Sequence, residues 1–152
     1  MIQEFSKDNL NLCAEMFFDV FTSPPWEYTW LSRENINRYF EDMLITPGFI
    51  GFLYYEGHTC LGVCLGGIND YFIAPQFEIN EIFINRNRQK EGIGSKMLAE
   101  IETCLSDAGV HCVTLLTQKD MNAYQFYLKN GYSVSKKAVH MSKILSGDQD
   151  NR

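Results

Sequence analysis

The sequence predicts a single α/β domain of the α+β kind, with about seven strands and about four helices. Three observations lead there. The chain has 152 residues, 45% apolar and 21% charged, enough for one domain with a sizeable core. Strand-like and helix-like segments follow in the order β, α, α, β, β, β, α, β, α, β, β, with no repeat and no low-complexity linker. The stretch 76–108 reads as strand, glycine turn and helix, and the other segments are arranged around it. The domain is expected over 1–145, followed by a polar tail over 146–152.

Taken in order, 2–6 is the first strand. Leu10, Cys13, Met16, Phe17, Val20 and Phe21 then recur at helical spacing, and Thr22-Ser23-Pro24-Pro25 stops that helix. A short aromatic segment carries Trp26, Tyr28 and Trp30. Ser32 is placed to cap a second helix whose apolar face is Ile36, Tyr39, Phe40, Met43 and Leu44. Strands over 49–55 and 60–68 join at Glu56-Gly57-His58 as a hairpin. A loop from Gly66 runs to Pro75. After the central unit come a buried strand over 111–117, a short helix over 122–129 stopped by Asn130-Gly131, and two closing strands over 132–135 and 139–144.

In the central unit, Ile79, Ile82, Phe83 and Ile84 form a short, mostly apolar β run. Asn85 to Glu91 is a polar turn with Arg86, Arg88 and Lys90. Gly92-Ile93-Gly94 opens a helix with an apolar stripe of Ile93, Met97, Leu98, Ile101, Leu105 and Ala108, and Gly109 stands where a C-terminal glycine belongs. The first amides of such a helix lack intrahelical partners and carry partial positive charge. Glycines let a ligand come close, so the turn suits an anion, above all a pyrophosphate. Glutamine at 89 rules out a P-loop, and Met97 stands where a dinucleotide fingerprint needs its third glycine.

Composition narrows the function classes. A net charge of −6 argues against a general nucleic-acid or membrane surface and fits a cationic partner. Cys13, Cys60, Cys64, Cys104 and Cys112 are odd in number and lack a C-x-x-C pair. They read as buried thiols of a cytoplasmic protein, with Cys60 and Cys64 on one strand face. His58, His111 and His140 are scattered, so no metal site is expected. No signal peptide or membrane-spanning run is seen.

Gln89-Lys90-Glu91-Gly92-Ile93-Gly94, directly after Ile82-Phe83-Ile84, resembles the acetyl-CoA signature of the GNAT superfamily of N-acetyltransferases. A second block, Asn122-Ala123-Tyr124-Gln125-Phe126-Tyr127-Leu128-Lys129-Asn130-Gly131-Tyr132, is similar to that family's late helix. The blocks stand in the family's order and cover about a third of the chain. The resemblance implies a mixed, mostly antiparallel sheet and acetyl-CoA as co-substrate. The pyrophosphate would sit on the amides of Gln89, Lys90, Glu91, Gly92, Ile93, Gly94 and Ser95. A backbone amide within Ile82, Phe83 and Ile84 would hold the carbonyl, and Asn122 would touch the pantetheine arm. Two departures stand out: Arg86 replaces a common proline, and Glu91 puts a negative charge inside the phosphate turn.

Acetyl transfer to an amine needs a base. A lysine-like amine has a pKa of about 10.4, so making it neutral at pH 7 costs about 4–5 kcal/mol. Glu78 and Glu81 are the candidates, and on a regular strand they point to opposite faces. The leaving thiolate needs an acid, and the resemblance gives that role to Tyr127, with Tyr124 and Phe126 packing its helix. The acceptor pocket is expected from the early helices and their link. Trp26, Tyr28, Glu78 and Glu81 suit a cation there, with Asp19 and Glu27 also available, whereas Phe17, Phe21 and Trp30 are read as core.

These readings favour direct acetylation of a primary amine on a small cationic acceptor: a polyamine, an aminoglycoside-like amine or an amino-acid derivative. The other readings kept open are acetylation of a peptide or protein amine and a non-catalytic acyl-CoA-binding sensor. A second copy of the chain, in a homodimer, is a further partner the sequence allows.

Overall fold

A computed structural model of the chain describes residues 1–70 and 74–146. Residues 71–73 of the loop after the hairpin, and all of the polar tail except Ser146, lie outside the described residues. The chain forms two compact units, Met1–Leu116 and Thr117–Arg152.

Among its described residues the first unit holds five strands: β1 (Ile2–Glu4), β2 (Phe49–Glu56), β3 (Thr59–Asn69), β4 (Gln76–Ile84) and β5 (Cys112–Leu115). They form one sheet in the order β1-β2-β3-β4-β5. Only the β4–β5 pair is parallel, so the sheet is mixed and mostly antiparallel as expected. Its helices are α1 (Leu10–Phe21), α2 (Arg33–Leu44) and α3 (Ile93–Asp107). Ser32 caps α2: its hydroxyl accepts from the Asn35 amide at 3.1 Å, and the Asn35 side chain accepts from the Ser32 amide at 2.8 Å.

One face of the sheet packs on α1 and α2. Leu53, Val63, Leu65 and Phe83 meet Cys13, Phe17, Val20, Ile36 and Phe40 in one apolar cluster. Phe17 stands edge-on to Phe40 at 5.5 Å and to Phe83 at 5.4 Å. Burying each such ring contributes about 1.5–3 kcal/mol. The other face takes α3, whose Ile93, Met97, Leu98, Ile101 and Leu105 are buried. The close approach there falls at Gly62, where a Cβ would press on the Met97 sulfur at 2.8 Å.

Two bulges interrupt the strand alternation. In β3, Tyr54 lies opposite Gly62 but Tyr55 lies opposite Cys60, so Leu61 is an extra residue. This corrects the expectation that Cys60 and Cys64 share a face: Cys60 joins the α1-side cluster and Cys64 does not. Cys13 and Cys64 are buried thiols, and burial first of all pushes each pKa up to about 12. Cys104, by contrast, is exposed. The second bulge, in β4, bears on the chemistry below.

The second unit holds α4 (Asn122–Lys129), with the bounds the sequence suggests. It stops at Gly131, which has φ +89. The two closing strands expected over 132–135 and 139–144 do not form, so the sheet has five strands among the described residues where about seven were expected. The Ser135 hydroxyl accepts from the Ala138 amide at 2.9 Å and turns the chain locally. Val139 and Met141 alternate as a strand would, yet both are exposed. Alternation is a local signal, and a strand also needs a neighbour for its amides.

Candidate active site

The site is built on β4. Glu78 lies opposite Gly67 and Ile79 opposite Gly66, but Glu81 lies opposite Leu65, so Asn80 is an extra, unpaired residue. Gly67 and Leu65 are two apart on β3 and share a face. Glu78 and Glu81 therefore share it too, on the side that α1 and α2 cover. A regular strand would have sent them to opposite faces. The bulge re-aims one carboxylate and brings the two candidates together. It needs Gly66, where a Cβ would run into the Glu78 carbonyl oxygen and the Phe77 ring.

Glu81 is held from α2. The Tyr39 hydroxyl donates to Glu81 Oε1 at 2.9 Å. Burial raises the Glu81 pKa above the ordinary carboxylate range, and the bond from Tyr39 works against that rise. Sequence reasoning placed Tyr39 on the apolar face of its helix and missed this contact. A polar tip at the edge of an apolar stripe was the available signal.

Beyond the bulge, β4 loses one neighbour. β5 pairs with it only from Gln76 to Ile79. Over Asn80 to Ile84 the β5 side has no ladder partner among the described residues, so backbone amides there face outward. Ile82, Phe83 and Ile84, the expected carbonyl holders, lie on this open stretch.

The strand then runs into the glycine turn. Lys90 (φ 66) and Gly92 (φ 77) are both left-handed, which turns successive amides into a shallow concavity of the kind that receives anions. Gly92 caps α3 with no side-chain acceptor, so the amides of Ile93, Gly94 and Ser95 keep their donors free of such a cap. A Cβ at Gly92 would meet nothing within 4 Å, so that face is open. Gln89 ties the turn to its strand through a 3.2 Å bond to the Ile84 carbonyl. Arg88 holds Glu91 at 2.6 Å and Glu56 at 3.1 Å, which partners the acidic charge within the turn. Arg86 pairs with Asp19 at 3.6 Å. Two of the three turn cations are thus engaged by carboxylates, and Lys90 has no ion pair among the described residues.

The aromatic link forms a row. Phe83 meets Phe21 at 6.0 Å, Phe21 stacks on Tyr28 at 6.1 Å, and Tyr28 stacks on Trp30 at 5.3 Å. Trp26 lies 5.4 Å from Phe21. Trp26 and Tyr28 are partly buried against the core, while Trp30 is 68% exposed, contrary to its reading as core. In the second unit, Asn122 is the exposed first residue of α4. Tyr127 is the buried ring of that helix, edge-on to Phe126 at 5.2 Å and to Tyr132 at 5.3 Å. Tyr124 and Phe126 are only half-buried, so packing falls on Tyr127 more than expected. No cluster of three or more metal-ligating side chains occurs among the described residues. No helix among them is long and apolar enough to cross a membrane.

The candidate site is thus a strand with two carboxylates on one face and an unpaired amide edge, followed by a glycine turn at the start of α3. Residues 14–132 match the Acetyltransferase (GNAT) family, and the chain belongs to that family. No match is found among curated proteins. Among solved structures, the aminoglycoside acetyltransferase meta-AAC0020 from an uncultured soil metagenomic sample, in complex with sisomicin, is 18% identical over 96% of each chain, with a TM-score of 0.70. AAC(6')-Iy, in complex with a bisubstrate analog, is 12% identical over 95% of this chain and 97% of its own, with a TM-score of 0.72. A predicted acetyltransferase with acetyl-CoA from Clostridium acetobutylicum is 13% identical over 93% of this chain and 95% of its own, with a TM-score of 0.69. At these identities the likeness is one of fold.

Proposed function

We propose that the protein transfers an acetyl group from acetyl-CoA to the primary amine of a small cationic acceptor, with Glu81 as the base. One observation carries the reading: the β4 bulge sets Glu78 and Glu81 on one face of a strand that leads, through a short helical turn at Arg86–Arg88, to the glycine turn that opens α3. Two carboxylates on one face favour an acceptor with more than one positive charge. The aminoglycoside acetyltransferases among the structural relatives lend support to amines of that kind.

On this reading the labour divides as follows, with Tyr127 assigned from its motif alone. The 89–95 turn binds the pyrophosphate through its amides. The open edge of Ile82, Phe83 and Ile84 supplies a donor to the thioester carbonyl. Glu78 holds the cation, with Trp26 and Tyr28 lining the acceptor side. Glu81 removes a proton from the ammonium, and the neutral nitrogen attacks the carbonyl carbon. The N–C bond forms as the C–S bond breaks, and the leaving thiolate takes a proton from Tyr127, the residue of the second motif. The products are an amide and free CoA thiol. This transfer uses no metal.

The test is release of free CoA thiol from acetyl-CoA in the presence of spermidine, sisomicin, amino-acid amides or a peptide with a free N-terminus. Turnover with a polyamine or aminoglycoside supports the reading. Turnover with the peptide alone moves the acceptor to protein amines, and acetyl-CoA binding without any turnover makes the protein a sensor.

A further inference from the structure

We propose that Tyr39 is a positioning residue for Glu81, fixing one carboxylate oxygen so that the other is presented to the acceptor amine. The inference rests on the reading of Glu81 as base and adds the group that aims it. Tyr39 projects from the middle of α2, 42 residues before Glu81 in sequence, and its hydroxyl donates to Oε1 at 2.9 Å. Its ring is braced on two sides, 6.5 Å from Phe17 and 5.8 Å from Phe40, so the hydroxyl is carried on a fixed arm. Phe17 in turn touches Phe83, two residues beyond Glu81 on β4, which locks helix and strand in one packing unit.

The bond leaves Glu81 Oε2 without a partner among the described residues, and that is the oxygen available to a proton. The Glu78 carboxylate, on the same face, has no hydrogen bond or ion pair among the described residues and is free to meet a cation. Among the described residues, Tyr39 from α2 bonds Glu81, Leu65 lies opposite it on β3, and Glu78 is the acidic group on the same face of its own strand. Tyr39 keeps its proton throughout, because burial and the adjacent carboxylate both push the phenol pKa upward. It therefore donates in every state of the base and does not compete for the substrate proton. When the ammonium N–H breaks, the new O–H forms at Oε2 while Oε1 stays bonded to Tyr39.

Tyr39→Phe removes one oxygen and keeps the ring contacts. The direct test needs no acceptor: the side-chain carboxyl of Glu81 is titrated by carbon NMR in the wild type and in Tyr39→Phe, with Glu81→Gln assigning the signal. Loss of the donor should move the Glu81 titration to higher pH, and an unchanged titration overturns the proposal. With spermidine or sisomicin as acceptor, Tyr39→Phe should lower kcat about tenfold at neutral pH and shift the acid limb of the rate profile the same way. In the Glu81→Gln background it should cost nothing more, because Tyr39 acts through Glu81. An additive loss there means that Tyr39 acts independently, which also overturns the proposal. If Glu81→Gln alone keeps the wild-type rate while the NMR titration still shifts, the base assignment fails and the positioning stands.

Discussion

The Tyr39 hydroxyl reaches Glu81 Oε1 at 2.9 Å because a single extra residue, Asn80, breaks the alternation of β4. The bulge puts Glu81 on the face that α2 covers, and Glu78 lies on that face as well. Much of the site's character follows from this irregularity. It sets the two carboxylates on one face and lets α2 cover and bond one of them.

Gly66→Ala tests the bulge. The new Cβ meets the Glu78 carbonyl and the Phe77 ring, neither of which can give way cheaply. The substitution should lower stability by about 1–3 kcal/mol. It should appear as a lower urea midpoint with an unchanged slope, alongside reduced turnover. A midpoint equal to wild type would mean that β4 tolerates a different path there.

Gly92→Glu tests the turn. Position 92 has φ +77 and an open face, so the substitution adds backbone strain and places a carboxylate where phosphate should bind. Calorimetric titration with acetyl-CoA should show no binding by a protein that still folds. Unchanged affinity would remove the turn from the coenzyme site.

Tyr127→Phe tests the proposed acid. Acetyl-CoA binding should persist while saturated turnover falls, since the lost proton donor matters mainly in the transition state. Weaker binding with unchanged saturated turnover would make Tyr127 a coenzyme contact. No change in either would leave it as the packing ring of α4.

Much of this was legible in the chain. The α3 stripe of Ile93, Met97, Leu98, Ile101 and Leu105 is buried, and Gly109 is left-handed just past the helix end. The α1 stripe and the Ser32 cap are also as the spacing predicts. These are local signals that one element carries within itself. The bulges at Leu61 and Asn80 were not legible, because an unpaired residue is defined by its partner strand and not by its own sequence. For the same reason Glu78 and Glu81 read as facing apart. Tyr39 read as core because helical spacing reports which stripe a residue occupies, not what its hydroxyl reaches.

Stability should carry the mark of Glu81. Burial raises its folded pKa above the ordinary value of about 4.3. A raised folded pKa means that the stabilising contribution is complete below the unfolded pKa and lost as pH rises through the folded one. At pH 7 the fold therefore carries a desolvated carboxylate at a cost. Glu81→Gln should melt at or above the wild-type temperature at pH 7, and any gain should fade as pH falls through the raised pKa. A melting point several degrees below wild type at pH 7 would contradict the desolvation.

The central claim, that Glu81 takes the acceptor proton, is tested most directly by the rate of CoA thiol release by Glu81→Gln across pH. At pH 7 the rate should fall by about 10²–10⁴ relative to wild type. The deficit should shrink as pH approaches the amine's own pKa of about 10.4, where the acceptor needs no base. A Glu81→Gln protein that turns over at the wild-type rate at pH 7 would contradict the account.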